Sequence, residues 1–250
     1  MSTQFPLHHA ARRNDFESVE KLIAENKTDL NQIDSTGWSP LYCATFNGHE
    51  KVVALLINAG VDLNKANNDG WTPLHRAALH SHEKVVALLI NAGADLNQAD
   101  KCRRTPLHRV AMTGQEKVAA LFINAGADLN KANNYGQTQL HYAVRYNSKK
   151  VVALLINAGA DLNQADNDGC TPLHWATEWK YCNLVTLLQQ GMWKQEHRRL
   201  VSLAILLRSL DLPVLVVYQI YSAKPLYEDA IVLRFEAWRV LAAIKRCEKF

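Results

Sequence analysis

Glycine and proline are scarce in this chain, 11 and 7 of 250 residues, which excludes a collagen-like or linker-rich protein. An excess of one charge is lacking too. Residues 1–190 hold 18 Lys and Arg against 18 Asp and Glu, and the net charge of +4 arises entirely in residues 191–250, with 10 against 6. A concentrated basic face is the footprint of nucleic-acid binding, so no nucleic-acid partner is expected. The longest apolar stretch, Leu200 to Tyr221, is broken by Arg208, Asp211 and Pro213. A charge at the centre of a span costs about 2.5–3.5 kcal/mol, so the stretch reads as two short buried helices and no membrane contact is expected.

Paired cysteines are missing as well. Cys43, Cys102, Cys170, Cys182 and Cys247 include no CxxC pair, and Met1 to Ala10 has no apolar secretory core. They read as reduced thiols in a cytoplasmic protein. Motifs for catalysis are equally absent: no phosphate-cradling Gly-rich loop, no G-x-S-x-G and no H-E-x-x-H. Neither enzyme activity nor a cofactor is expected. What the chain has is an ordinary soluble composition, 48% hydrophobic and 21% charged, and enough length for one or two domains with a sizeable core.

It also has a repeat. Pro40, Pro73, Pro106, Gln139 and Pro172 stand 33 residues apart, within Ser39-Pro40-Leu41-Tyr42, Thr72-Pro73-Leu74-His75, Thr105-Pro106-Leu107-His108, Thr138-Gln139-Leu140-His141 and Thr171-Pro172-Leu173-His174. About ten residues later comes KVVALLINAG from Lys51, Lys84 and Lys150, and KVAALFINAG from Lys117. Thr caps a helix and Pro suits its first turn. Leu74, Ala77 and Ala78 make a short apolar face. Val85, Val86, Leu88, Leu89 and Ile90 make a second helix, apolar on nearly two sides. Gly60, Gly93, Gly126 and Gly159 end the second helices, where a left-handed cap favours glycine. Asp69-Gly70 and Asp168-Gly169 are tight-turn pairs. One copy cannot bury its apolar surface alone, but stacked copies can.

The Thr-Pro-Leu-His start, the 33-residue period and the Gly-Ala-Asp-Leu-Asn close resemble the ankyrin repeat. The resemblance spans residues 4–192 and six copies, the first diverged and one residue longer, the sixth drifting after Trp175. It implies an all-α solenoid of helix–turn–helix repeats with β-hairpin-like fingers, here as residues 1–192, followed by a C-terminal helical extension, residues 193–250. It also implies that His75, His108, His141 and His174 bond around the Thr at each helix start. Equivalent atoms of stacked helices lie about 8–10 Å apart, whereas zinc ligands sit about 2 Å from one ion, so no metal site is expected from these histidines. His80 and His82 read as solvated.

Comparing the copies within the chain locates function. The second helices are nearly identical, but the fingers and the exits of the first helices differ. In the resembling family these positions line a concave groove that contacts partners. Trp38, Phe46, Trp71, Leu79, Arg103, Arg104, Met112, Tyr135, Arg145, Tyr146 and Trp179 are therefore the candidate partner-binding residues, rich in the types that dominate binding hot spots. Trp38 and Trp71 could alternatively cover the neighbouring finger, and Phe46 could pack inward. Arg103 stands where Gly37, Gly70, Gly136 and Gly169 stand elsewhere, and with Lys101 and Arg104 it forms a basic tip suited to an acidic segment or simply solvated.

After Gly191 the period stops. Lys194 to Leu210, Leu212 to Ala223 and Tyr227 to Cys247 read as three helices, more than a cap needs, so a second protein contact through residues 193–250 is expected. Leu212-Pro213 followed by Val216, Val217, Tyr218 and Ile220 is similar to the start of F-box or SOCS-box helices, though it lacks the Glu common after an F-box Leu-Pro. The leading expectation is an adaptor or scaffold holding a protein in the groove. The alternatives are a ubiquitin-ligase substrate receptor and, by analogy with recently duplicated ankyrin proteins, a host-directed effector of an intracellular bacterium or virus.

Overall fold

The computed structural model describes residues 5–25 and 28–209. Among these residues the regular elements are all helices, and they come in pairs. Short inner helices α1 (Pro6–Arg12), α3 (Pro40–Phe46), α5 (Pro73–Leu79), α7 (Pro106–Thr113), α9 (Gln139–Arg145) and α11 (Pro172–Glu178) alternate with outer helices. The outer ones are α2 (Phe16–Ala24), α4 (Glu50–Asn58), α6 (Glu83–Asn91), α8 (Glu116–Asn124), α10 (Lys149–Asn157) and α12 (Cys182–Ser209). From α1 to α11 each inner helix packs on the next inner helix, and from α2 to α10 each outer helix packs on the next outer one.

The inner helices begin where the Thr-Pro-Leu-His block predicts. Thr72 is extended (φ −83°, ψ 165°), its Oγ1 accepts the His75 N–H at 3.3 Å, and its own N–H donates to His75 Nδ1 at 3.2 Å. An imidazole thus plays the part that Glu plays in a capping box. The equivalent N–H to Nδ1 bonds are 3.0 Å at Thr105–His108, 3.1 Å at Thr138–His141 and 3.0 Å at Thr171–His174. Because Nδ1 accepts, the ring proton sits on Nε2. His75, His108 and His141 donate it to the next copy, to the carbonyls of Arg104 (2.9 Å), Gln137 (3.1 Å) and Cys170 (3.0 Å). One residue therefore starts a helix and ties it to its neighbour.

A second tie runs along the outer loops. Asn31, Asn64, Asn97 and Asn130 each accept, through Oδ1, the backbone N–H of Asp62, Asp95, Asp128 and Asp161 in the following copy, all at 2.8–2.9 Å. Between the ties lies the core: Leu74, Ala77, Ala78, Val85, Val86 and Leu89 are fully buried, as are their counterparts in the other central copies, while Leu22 and Leu173 in the end copies are half-buried. Burying one such large aliphatic chain is worth roughly 1.5–3 kcal/mol. The glycines that close the outer helices, Gly60, Gly93, Gly126 and Gly159, have φ of +79° to +90° and open space where a Cβ would go. Backbone conformation alone requires them.

Each finger is a tight turn built on one side chain. Asn67 Oδ1 accepts the N–H groups of Asp69 and Trp71, both at 2.9 Å, while the Asn67 N–H reaches the Trp71 carbonyl at 2.9 Å. Asp34, Asp100, Asn133 and Asp166 do the same in their copies. The chain reverses as a hairpin would, but no strand forms among the described residues.

The far end departs from the sequence reading. A helix was expected to begin at Lys194 after the period ended at Gly191; instead α12 runs unbroken from Cys182 to Ser209. Gly191 does not stop it. A Cβ at this residue would stand 2.6 Å from Ile156 Cγ2 and 3.1 Å from Leu162 Cδ1, so glycine here permits close packing. The first of the chain's two units ends at Lys194. The expected helices Leu212 to Ala223 and Tyr227 to Cys247, and the Leu212-Pro213 pair, lie outside the described residues. No helix among the described residues is long and apolar enough to cross a membrane.

Candidate functional site

The two sides of the stack differ in chemistry. The outer helices repeat one exposed ion pair, Lys84–Glu50 at 3.2 Å, Lys117–Glu83 at 3.5 Å and Lys150–Glu116 at 2.8 Å. Such exposed pairs add little stability and carry no distinction between copies. The side made by fingers and inner helices carries aromatic rings and arginines that change from copy to copy.

Its first half is a cation–π ladder. The Trp38 ring lies 5.0 Å from Tyr42 and 5.4 Å from Phe46, with the Arg12 guanidinium 5.2 Å from its centre. The Arg76 guanidinium stands over Phe46 at 4.2 Å, Trp71 at 5.4 Å, and Trp38 and Tyr42 at 5.8 Å each. Arg109 covers Trp71 at 4.1 Å. Contacts of this kind are worth about 0.5–2 kcal/mol each. Trp38, Phe46 and Trp71 are half-buried, so they pack on their own chain while keeping part of their surface in water.

Arg109 is anchored from below. Its Nη2 donates to Asp100 Oδ2 at 2.7 Å, and Arg104 Nε donates to the same oxygen at 3.0 Å. Burial by itself would raise the Asp100 carboxyl. The Arg104 backbone N–H and the two guanidinium groups outweigh it and hold the acid below its ordinary range. Arg104 is therefore engaged at the finger base, whereas Arg103 is exposed at the tip with φ of +60°, the left-handed turn that glycine holds in the other fingers. Leu79 is half-buried and its carbonyl accepts from Gln115 Nε2 at 3.2 Å; Met112, also half-buried, leans on the core.

The second half is more open. Tyr142 and Tyr146 are 6.3 Å apart, Arg145 lies 6.0 Å from the Tyr146 ring, and Trp175 meets Trp179 at 5.2 Å. Tyr135 at the finger tip is 66% exposed, Tyr146 47% and Trp179 38%. The structure thus gathers Trp38, Phe46 and Trp71 around Arg76, sets Arg145 beside Tyr146, and pairs Trp179 with Trp175.

Several residues of this face escaped sequence reasoning. Arg76, Arg109, Tyr142 and Trp175 all occupy the position just after the repeated His, where the other copies carry His9 and Cys43. That position varies as much as the fingers do, and a comparison of copies extended by one helical turn finds it. His82 also differs from expectation. Rather than being solvated, its Nε2 lies 3.2 Å from the Phe46 carbonyl and its ring stacks on His80 at 5.8 Å. His80 in turn lies against Phe46 at 5.2 Å; burial and the Arg76 charge push its pKa down.

No three His, Cys, Asp or Glu among the described residues are placed to hold a metal. The repeated histidines are occupied as helix caps. Burial drives His75 and His108 down to about 4, partly opposed by their bonds to the Arg104 and Gln137 carbonyls.

Comparison with known proteins agrees with this architecture. A family model described as "Ankyrin repeats (3 copies)" matches residues 7–100 and 89–166, and a single ankyrin-repeat model matches 168–192. No curated protein sequence matches the chain. Among solved structures, an ankyrin repeat domain from Acinetobacter baumannii is similar at 33% identity and a TM-score of 0.71, over 76% of this chain and 98% of that one. The ankyrin repeat domain of Bcl-3, a member of the IkappaB family, is similar at 27% identity and 0.71, over 74% and 85%. A chain in the structure of the predatory endopeptidase Bd0816 from Bdellovibrio bacteriovorus with immunity protein Bd3460 is similar at 31% identity and 0.66, over 76% and 99%. Six stacked helix pairs, histidine-closed caps and the matched models together place the chain in the ankyrin-repeat family.

Proposed function

We propose that the chain is a non-enzymatic adaptor whose finger and inner-helix face, the concave groove of the family, holds a protein partner. The ankyrin repeat is a protein–protein interaction module, and one solved relative of this chain comes from a complex between two proteins. The observation that carries the reading is the contrast between the near-identical, ion-paired outer helices α4 to α10 and an inner face with Tyr135, Tyr146 and Trp179 exposed. Large rings that a monomer leaves in water beside arginine are characteristic of binding hot spots. A groove of this length offers on the order of 800 Å² to a partner, a standard interface.

In this reading residues 193–250 form a separate extension that carries a second protein contact, a proposal supported by the division of the chain after Lys194. The described cysteines Cys43, Cys102, Cys170 and Cys182 are free thiols, the state that a reducing compartment such as the cytoplasm maintains.

The test is a selection of displayed peptides and domains on the full chain, repeated with Tyr146→Ala/Trp179→Ala. Clones selected on the wild type should bind the double variant at least about tenfold more weakly while circular dichroism stays unchanged. Clones that bind both proteins equally would show that the groove is not the docking face.

A further inference from the structure

The chain contains its own internal comparison for one arginine. Arg76 and Arg109 hold the same position in successive copies, nine residues after the side chain that builds the finger. In the later copy that side chain is Asp100, whose carboxylate meets Arg109 at 2.7 Å. In the earlier copy it is Asn67, whose Nδ2 faces Tyr42 Oη at 3.3 Å. Arg76 thereby keeps the arginine and lacks the carboxylate.

Nothing else among the described residues replaces it. Arg12, Arg104 and Arg109 all pair with an Asp, at 3.9, 3.0 and 2.7 Å, whereas Arg76 forms no ion pair among the described residues. Its Nε, like that of Arg109, is buried without a hydrogen-bond partner, so what separates the two arginines is the carboxylate alone. The guanidinium is held in place by Phe46, Trp71, Trp38 and Tyr42, and Arg76 as a residue is half-buried. Rings on several sides lower the local dielectric, which strengthens any ion pair made there relative to one in water. A planar guanidinium held this way presents a fork that matches a carboxylate.

We propose that Arg76, in its aromatic cradle, is the receptor for an Asp or Glu side chain of the partner, and so selects acidic segments for the groove. The proposal rests on the groove reading above. The incoming carboxylate takes the role that Asp100 plays for Arg109, donated across an interface instead of within the finger.

The experiment is positional selection from a random peptide library, unmodified and serine-phosphorylated, displayed to the full-length protein, to Arg76→Gln and to Asn67→Asp. Wild type should enrich Asp or Glu at one position, and Arg76→Gln should abolish that enrichment while selection at other positions persists. Asn67→Asp supplies the missing carboxylate from within and should weaken the selected peptides about tenfold without lowering the melting temperature, which covers the case of an Arg76 variant that misfolds. Peptides selected without any acidic preference, or an acidic preference that both variants retain, would overturn the proposal and leave the groove reading standing. Preference for phosphoserine over Asp and Glu would overturn it in favour of a phosphate. Failure of every peptide to bind would overturn it together with the groove reading.

Discussion

Acid should loosen this stack well before its carboxylates titrate. His75 and His108 are neutral in the fold because Nδ1 accepts the Thr N–H and Nε2 donates to the next finger, and protonating Nδ1 would set two donors against each other. Both folded-state pKa values are pushed down to about 4 from an ordinary 6.5. Above pH 6.5 folded and unfolded chains are both neutral at these rings, so the stabilisation is fully present. Below it the unfolded chain binds protons that the folded chain refuses, and stability falls until the pH reaches about 4. Each pH unit in that window costs on the order of 1 kcal/mol per ring, so by pH 4.5 the loss is a few kcal/mol each. Two such losses are a large share of the roughly 5–15 kcal/mol that holds an ordinary domain together. His141 and His8, also shifted down mainly by burial, add to the same trend. Urea unfolding followed by circular dichroism at pH 7.5, 6.5, 5.5 and 4.5 reads the effect. The midpoint should fall only slightly between the first two and steeply afterwards, and His75→Gln/His108→Gln should be less stable at neutral pH with a shallower slope. A midpoint unchanged from pH 6.5 to 4.5 would refute the assigned tautomers.

Other substitutions test the packing and the finger chemistry. Arg103→Gly removes a left-handed arginine and should stabilise the fold by about 1 kcal/mol, read as a higher melting temperature. Ala119 and Phe122 replace the Val and Leu of the other outer helices one turn apart, both fully buried. Ala119→Val should overpack and cost about 1–3 kcal/mol, while adding Phe122→Leu should recover most of it, a coupling that a double-mutant cycle measures. Arg109→Met leaves the Asp100 carboxylate buried with Arg104 as its remaining partner and should cost about 3 kcal/mol in urea unfolding.

Much of the fold was legible because it is local and repeated. Thr72, Pro73 and His75 lie within one helical turn and recur at 33-residue intervals, so cap chemistry and period identify the same boundaries. The inter-copy ties were less visible, since His75 meets Arg104, and Asn64 meets Asp95, only after the copies stack. The start expected at Lys194 misled because the loss of the 33-residue period was read as a break in the chain, whereas α12 continues through Gly191, which packs against Ile156 in another helix. On the candidate face, Trp38, Phe46 and Trp71 were found from variation between copies. Arg76 and Arg109 were not, because an arginine beside a capping histidine resembles a solvated helix residue until the preceding copy's rings are placed over it.

Photo-crosslinking tests the account most directly. Benzoylphenylalanine placed at Tyr146 or Trp179 of the full chain, mixed with a partner obtained by selection, should yield covalent adducts, and the same probe at the exposed outer-helix residues Asn91 and Asn124 should yield none. Adducts from Asn91 or Asn124, with silence at Tyr146 and Trp179, would put the partner on the opposite side of the stack and contradict it.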